Sequence, residues 1–127
     1  MDKNLNLDIN SIIIILLGST FGLIIRLLII DNLKINVGFN IQNTSVVNFI
    51  ASFFLGILVA LNSINNNFLL LYTGFLGCFS TFSSFVYQLF VLFKERKFVR
   101  LFLHYIEVII LSFICFYLGF YLMQTIK

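Results

Sequence analysis

Apolar residues along this chain come in long, nearly unbroken runs. They show neither the alternation of a half-buried strand nor the one-sided stripe of a soluble helix. Four runs stand out, from about Ser11 to Ile30, Thr44 to Leu61, Phe68 to Phe93 and Leu101 to Met123. A helix needs about 20 apolar residues to cross a hydrocarbon core roughly 30 Å thick. The pattern predicts four transmembrane helices in a single all-α domain over residues 1–127. Short Asn-rich linkers such as "DNLKINVGFNIQN" and "NSINNN" join the runs, and nothing is left over for a soluble domain. The first run is too long for a secretory leader and lacks a small-x-small cleavage site, so it is expected to be retained.

Polar residues interrupt these runs in stripes. The first helix carries Gly18, Gly22 and Arg26 at i, i+4 and i+8, and the second carries Thr44, Asn48, Ser52 and Gly56 in the same way. Residues four apart share a helical face, so each set forms one small or polar ridge. The third helix contains "GCFSTFSSF" at 77–85. There Gly77, Ser80, Thr81, Ser84 and Gln88 gather on one side, while Phe75, Phe79, Phe82 and Phe85 follow at spacings of four, three and three. In the fourth, Tyr105, Ser112 and Gly119 recur at heptad spacing, with Val108 and Cys115 between them. Intramembrane polar groups mark helix contacts or a transport path. The periodicity leaves both readings open for the ridges. Phe stripes more often face lipid or fill cores, and Arg26 near a helix end can snorkel to the interface.

Composition narrows the field. Of the 127 residues, 61% are hydrophobic and only 10% charged, against about 25% charged in a soluble domain. A chain this short cannot hide so much apolar surface in its own interior, so its solvent is lipid. The net charge of +3 comes with no basic-aromatic surface outside the membrane, which argues against nucleic acid. Cys78 and Cys115 both lie at membrane depth without CxxC or Cys/His spacing, so packing thiols are expected. His104 and Glu107, three apart, are expected to pair with each other or with Arg100. One His and one carboxylate are too few for a metal centre. No nucleophile–base set and no Gly-rich phosphate loop occurs, and enzyme chemistry is not expected.

Basic residues in the loops predict topology, because Lys and Arg stay on the cytoplasmic side. With four spans, Lys3 and Lys127 share one side, while Lys34, Lys94, Arg96, Lys97 and Arg100 share the other. Two against five places both termini outside and the "KERKFVR" loop in the cytoplasm.

Three motifs bring the chain close to a known family. "GSTFGLIIR", ending in Arg26, "NTSVVNFIASFFLG", containing Asn48, and "GFLGCFSTFSSF" together resemble the Fluc (CrcB-type) fluoride channels over nearly the whole length. The third motif is the most specific. Departures are Leu27 for an aromatic, Ala51 for a Gly, Cys78 and Ser80 for one Gly and one Thr, and Gln88 for a Glu.

The resemblance implies a four-helix subunit whose third helix is broken near its middle and which assembles as an antiparallel two-fold dimer. It implies backbone carbonyls of Gly77 and Ser80 holding a structural Na⁺ at the dimer interface, since hard cations prefer oxygen ligands. It implies Phe82 and Phe85 lining the pore, with their positive ring edges toward the anion. Asn48, Ser83 and Ser84 would replace part of the ion's water shell. The resemblance also sets Tyr105 in the place of the family's fourth-helix Tyr and Gln88 in that of a Glu beyond the Phe pair, both along the pore, and Arg26 would draw anions in or fix local structure. The function implied is passive export of fluoride across the plasma membrane, needed because neutral HF enters cells and leaves the anion inside.

Loop charges of two against five are not those of a subunit that inserts both ways. The expectation is therefore a single orientation and a homologous partner of opposite bias, with a homodimer as the alternative. Competing readings are a small four-helix multidrug-type exporter, which requires a first-helix carboxylate this chain lacks, and a non-conducting partner subunit.

Overall fold

The computed structural model describes residues 9–32, 43–61 and 65–126, and every element among them is helical. The elements are α1 (Ile9–Asn32), α2 (Asn43–Ala60), α3 (Asn66–Phe79), α4 (Phe82–Lys94) and α5 (Phe98–Ile126). Counted together, α3 and α4 make one 29-residue candidate span, alongside α1 and α5 of 24 and 29 residues. The shorter apolar helix over Thr44–Ala60 completes the set. Lys3, Lys34 and Lys127, which entered the charge tally, lie outside the described residues.

Burial in α1 is inverted relative to a soluble protein. Its buried residues are Gly18 and Gly22, while Ile12, Ile13, Leu16, Leu17, Phe21 and Ile24 are exposed. Large apolar side chains turned outward and glycines turned inward are the arrangement of a lipid-embedded bundle. Helices there associate by close backbone approach rather than by hiding oil from water. These are the helices of a multi-pass membrane protein.

The glycine ridges serve that approach. α1 lies along α3, running in the same direction, and α2 lies along α5. A Cβ added at Gly18 would overlap the carbonyl oxygen of Leu71, and one at Gly74 would overlap that of Ile15. Gly22 meets the Phe75 carbonyl in the same way. In the second pair, Gly56 faces the Phe116 carbonyl and Gly119 faces that of Phe53. Each crossing is therefore reciprocal, glycine over glycine, with Cα–H groups set against facing carbonyls as in weak C–H···O contacts. Packing, not permeation, accounts for Gly18, Gly22 and Gly56.

A small core sits just before the α3–α4 junction. Val47, Ala51, Leu76 and Phe79 are buried there, with Ile29, Ile30, Ile50, Tyr72 and Phe75 packed around them. Phe79 is 1% exposed and stacks on Phe75 with ring centroids 5.3 Å apart. The Tyr72 hydroxyl donates to the Phe54 carbonyl (2.9 Å), tying α3 to α2.

α4 ends in a tight turn. The Lys97 N–H donates to the Leu92 carbonyl and that of Arg96 to Phe93 (both 3.0 Å), a Schellman arrangement. The left-handed position usually held by Gly is occupied by Arg96, with φ 56°. Beyond it, the Lys97 ammonium contacts the Glu95 carboxylate at 2.6 Å.

Candidate ion pathway

The third span stops and restarts at Ser80–Thr81. Ser80 has φ −74° and ψ 155°, so the backbone turns extended after Phe79. Thr81 (φ −144°, ψ 107°) caps α4, its hydroxyl accepting from the Ser84 N–H. A break at membrane depth leaves backbone groups without helical partners, and hydrocarbon cannot satisfy them. The side chain of Asn48 on α2 does. Its Oδ1 accepts from the Thr81 N–H (2.8 Å), and its Nδ2 donates to the Thr81 carbonyl (3.0 Å). One amide thus holds both backbone groups of one residue, as a neighbouring strand would.

The remaining polar side chains extend this clamp. The Thr81 hydroxyl lies 3.2 Å from that of Ser83 and 3.1 Å from that of Ser84. The Ser52 hydroxyl donates to the Asn48 carbonyl at 3.0 Å. Arg26 does not reach toward the interface: its guanidinium donates to the Cys78 carbonyl (3.4 Å). That carbonyl belongs to the last turn of α3, where unpaired acceptors and the negative end of the helix dipole favour a cation.

The Phe residues change role across the break. Phe82 is 77% exposed, and its ring lies 6.2 Å from that of the half-buried Phe85. Phe85 stacks on Tyr105 (6.2 Å) and sits 6.1 Å from the His104 ring. Both Phe residues line a groove of about 480 Å³ with Asn48, Ser52, Val108 and Ser112. A second groove, of about 460 Å³, is lined by Asn48, Thr73, Gly77, Ser80, Thr81 and Phe82. Asn48, Ser52 and Phe82 stand in the wall of both.

Gly77 and Ser80 were singled out for their carbonyls. Gly77 alone among the described glycines has open space where a Cβ would point. No hydrogen bond reaches either carbonyl among the described residues, since the Ser80 N–H donates to Leu76 and that of Thr81 to Asn48. Two free backbone oxygens with no carboxylate nearby fit part of a hard cation's shell. The described residues hold no His, Cys, Asp or Glu cluster for a metal.

The expected pairing of His104 with Glu107 is not found. His104 is buried, and its Nε2 lies 3.0 Å from Gln88 Oε1. Gln88, also buried, donates through Nε2 to the Thr44 hydroxyl. A chain Thr44–Gln88–His104 thus links α2, α4 and α5. Among the described residues the ion pair is Lys97–Glu95. Neither His104 nor Thr44 is among the expected anion-binding residues, yet both join Gln88. The available signal was the i, i+4, i+8 stripe His104–Val108–Ser112, of which the last two line the Phe82–Phe85 groove.

Residues 13–120 match the family described as CrcB-like protein, Camphor Resistance (CrcB). A similar protein is "Fluoride-specific ion channel FluC 2" of Prochlorococcus marinus (strain MIT 9312), 75% identical over 122 residues that cover 95% of this chain and 100% of that protein. Another FluC 2, of Prochlorococcus marinus subsp. pastoris, is 48% identical over 120 residues, 94% of this chain and 98% of the relative. The same strain holds a "Fluoride-specific ion channel FluC 1", 31% identical over 88 residues, 69% of this chain and 81% of that protein.

Proposed function

This chain belongs to the CrcB-like family, and we infer from that membership that it is a fluoride-specific ion channel subunit. It is not an enzyme: it lets cytoplasmic fluoride leave passively across the plasma membrane. The observation that carries the inference to particular residues is the groove shared by Asn48, Phe82, Phe85 and Ser112 beside the helix break. Phe ring edges carry the positive end of the aromatic quadrupole. They attract a small anion without holding it so tightly that it cannot leave. Amide and hydroxyl donors from Asn48, Ser83, Ser84 and Ser112 replace part of its water shell. Asn48 keeps one amide hydrogen beyond the one given to Thr81.

The subunit does this as half of an antiparallel dimer. Phe82 and the surface around Gly77 are open in the single chain, and a pore wall needs a second side. The carbonyls of Gly77 and Ser80 would supply two oxygens to a Na⁺ on the dimer axis, and a two-fold partner would supply the rest. That ion would fasten the two breaks together. The biased loop charges favour one orientation, termini outward, and an oppositely biased homologous partner. The occurrence of FluC 1 and FluC 2 proteins in one organism supports such a pair.

Fluoride efflux from liposomes holding the purified chain, with and without its candidate partner, tests the function. Efflux is expected from the pair. Orientation is tested by a C-terminal tag probed from each membrane face; equal labelling from both would sink the single-orientation proposal.

A further inference from the structure

The α4–α5 turn sets charge directly against oil. Lys94, Arg96, Lys97 and Arg100 bring four cations into a stretch that holds one carboxylate, Glu95. Phe90, Phe93, Phe98 and Phe102, on either side of the turn, are exposed. In a membrane-embedded chain such rings face hydrocarbon or its border with the headgroups. Only Glu95, Arg96 and Lys97 separate the two helices. A turn this short keeps its cations at the headgroup level of the bilayer rather than out in bulk water.

Between α4 and α5 lies a cavity of about 420 Å³, within the roughly 300–1,000 Å³ of sites that hold small molecules. Its lining runs from Glu95, Lys97 and Arg100 at the turn to Leu92, Val91 and Tyr87 along α4. At 1.5 Å per residue that path is about 12 Å long. Gln88 and His104 also stand in the wall, but they are bonded to each other. The polar end carries the charge. The Lys97 ammonium contacts the Glu95 carboxylate at 2.6 Å, and that hydrogen bond holds the Glu95 carboxyl below its ordinary range. Together the pair is neutral. Arg100, exposed and without a paired carboxylate among the described residues, is the excess charge of the lining.

We propose that this cavity seats the headgroup of an anionic phospholipid, with the phosphodiester on Arg100 and the glycerol backbone along Val91 and Tyr87. A guanidinium presents its N–H groups as a planar fork that matches two phosphate oxygens. One excess cation suits the single charge of a phosphodiester better than the double charge of a phosphate monoester. The exposed Phe rings beside the turn continue the site as an apolar surface for acyl chains. A soluble phosphate ester meets the cation but leaves that surface unused. Basic residues just beyond a membrane span are the usual attraction for anionic lipid. α4 packs sparsely on α5 compared with the α1–α3 and α2–α5 crossings, so a lipid wedged between them steadies α4. Nothing in this site depends on which ion the subunit carries.

The purified full chain in detergent is titrated with phosphatidylglycerol and, separately, with phosphatidylcholine of the same acyl chains. Native mass spectrometry counts bound lipid, and thermal denaturation follows stability. Phosphatidylglycerol is expected to saturate near one molecule per chain, at a concentration about tenfold lower than phosphatidylcholine. Arg100→Gln is expected to raise its half-saturating concentration about tenfold. Lys94→Gln, the same loss of charge outside the cavity lining, is expected to raise it about twofold. Arg100→Lys, which keeps the charge without the fork, is expected to fall between them. Saturating phosphatidylglycerol is expected to raise the melting temperature of the wild type more than that of Arg100→Gln. Equal binding of the two lipids overturns the site. Equal losses in Arg100→Gln and Lys94→Gln also overturn it, since they reveal a diffuse surface charge. Free glycerol phosphate binding as tightly as the lipid overturns the lipid assignment. Fluoride flux enters none of these readouts, so their failure is distinct from failure of the channel reading.

Discussion

Phe79 and Phe82 are three residues apart, yet one is 1% and the other 77% exposed. The helix break between them divides the third span into halves of different construction. Buried positions in α3 are Gly74, Leu76 and Phe79; in α4 the buried residue is Gln88. The first half is fixed by a glycine crossing on α1 and by a small apolar core. The second is fixed by polar links, from Asn48 to Thr81 and from Gln88 to Thr44 and His104. Helix packing thus holds the first half, and hydrogen bonds hold the second, which carries the proposed ion path. Under the proposed function, these polar groups serve twice, closing the broken backbone and offering donors to a passing anion.

The largest effect is expected where two backbones touch. Gly18→Leu must separate α1 from the Leu71 carbonyl, and a rigid backbone cannot yield as a side chain does. A loss of at least about 3 kcal/mol is expected, read as loss of folded protein in detergent. Gly77→Ala, at open space, is expected to leave the subunit folded and to weaken dimer assembly, measured by size-exclusion chromatography. If both substitutions proved harmless, the division between the halves would fail.

Next comes the Phe pair itself. Phe79→Ala empties a stacked, buried site and should destabilise by about 3 kcal/mol. Phe82→Ile should leave stability within about 0.5 kcal/mol while lowering fluoride flux about tenfold. Phe85→Ile should lower flux likewise with the dimer intact. Thermal denaturation alongside flux separates the two effects, and unchanged flux in both Ile variants would remove the pore assignment.

Asn48→Leu sharpens the comparison, because Asn48 joins the halves. It leaves the Thr81 N–H unpaired and takes one hydrogen bond from its carbonyl, at about 2 kcal/mol or more, and flux should fall with stability. The smallest expected effect lies in the α4–α5 turn. Arg96→Gly relieves a left-handed backbone angle and should stabilise by about 1 kcal/mol, with flux unchanged.

How much of this was legible in the sequence depended on what one-dimensional patterns encode. Long apolar runs gave the helices, and polarity in "GCFSTFSSF" marked the segment where the third span breaks. Spacing of four put Thr44, Asn48, Ser52 and Gly56 on one face of α2, but it could not name their neighbours. Thr44 meets α4, Asn48 meets the break, Ser52 bonds back to its own helix, and Gly56 meets α5. The same limit left the α1 glycines open between packing and permeation until the opposing carbonyls were located. His104 was read as a partner for Glu107 because local spacing is visible in a sequence. Its contact with Gln88, sixteen residues away, depends on how α4 and α5 cross.

The most direct measurement is ion-selective-electrode recording of fluoride and chloride efflux from liposomes carrying the wild-type chain with its proposed homologous partner, beside the Phe82→Ile chain in the same pair. Rapid loss of fluoride with chloride retained, slowed in the variant, is the expected result. No fluoride efflux, or fluoride and chloride leaving at equal rates, would contradict a fluoride-specific path along Phe82 and Phe85.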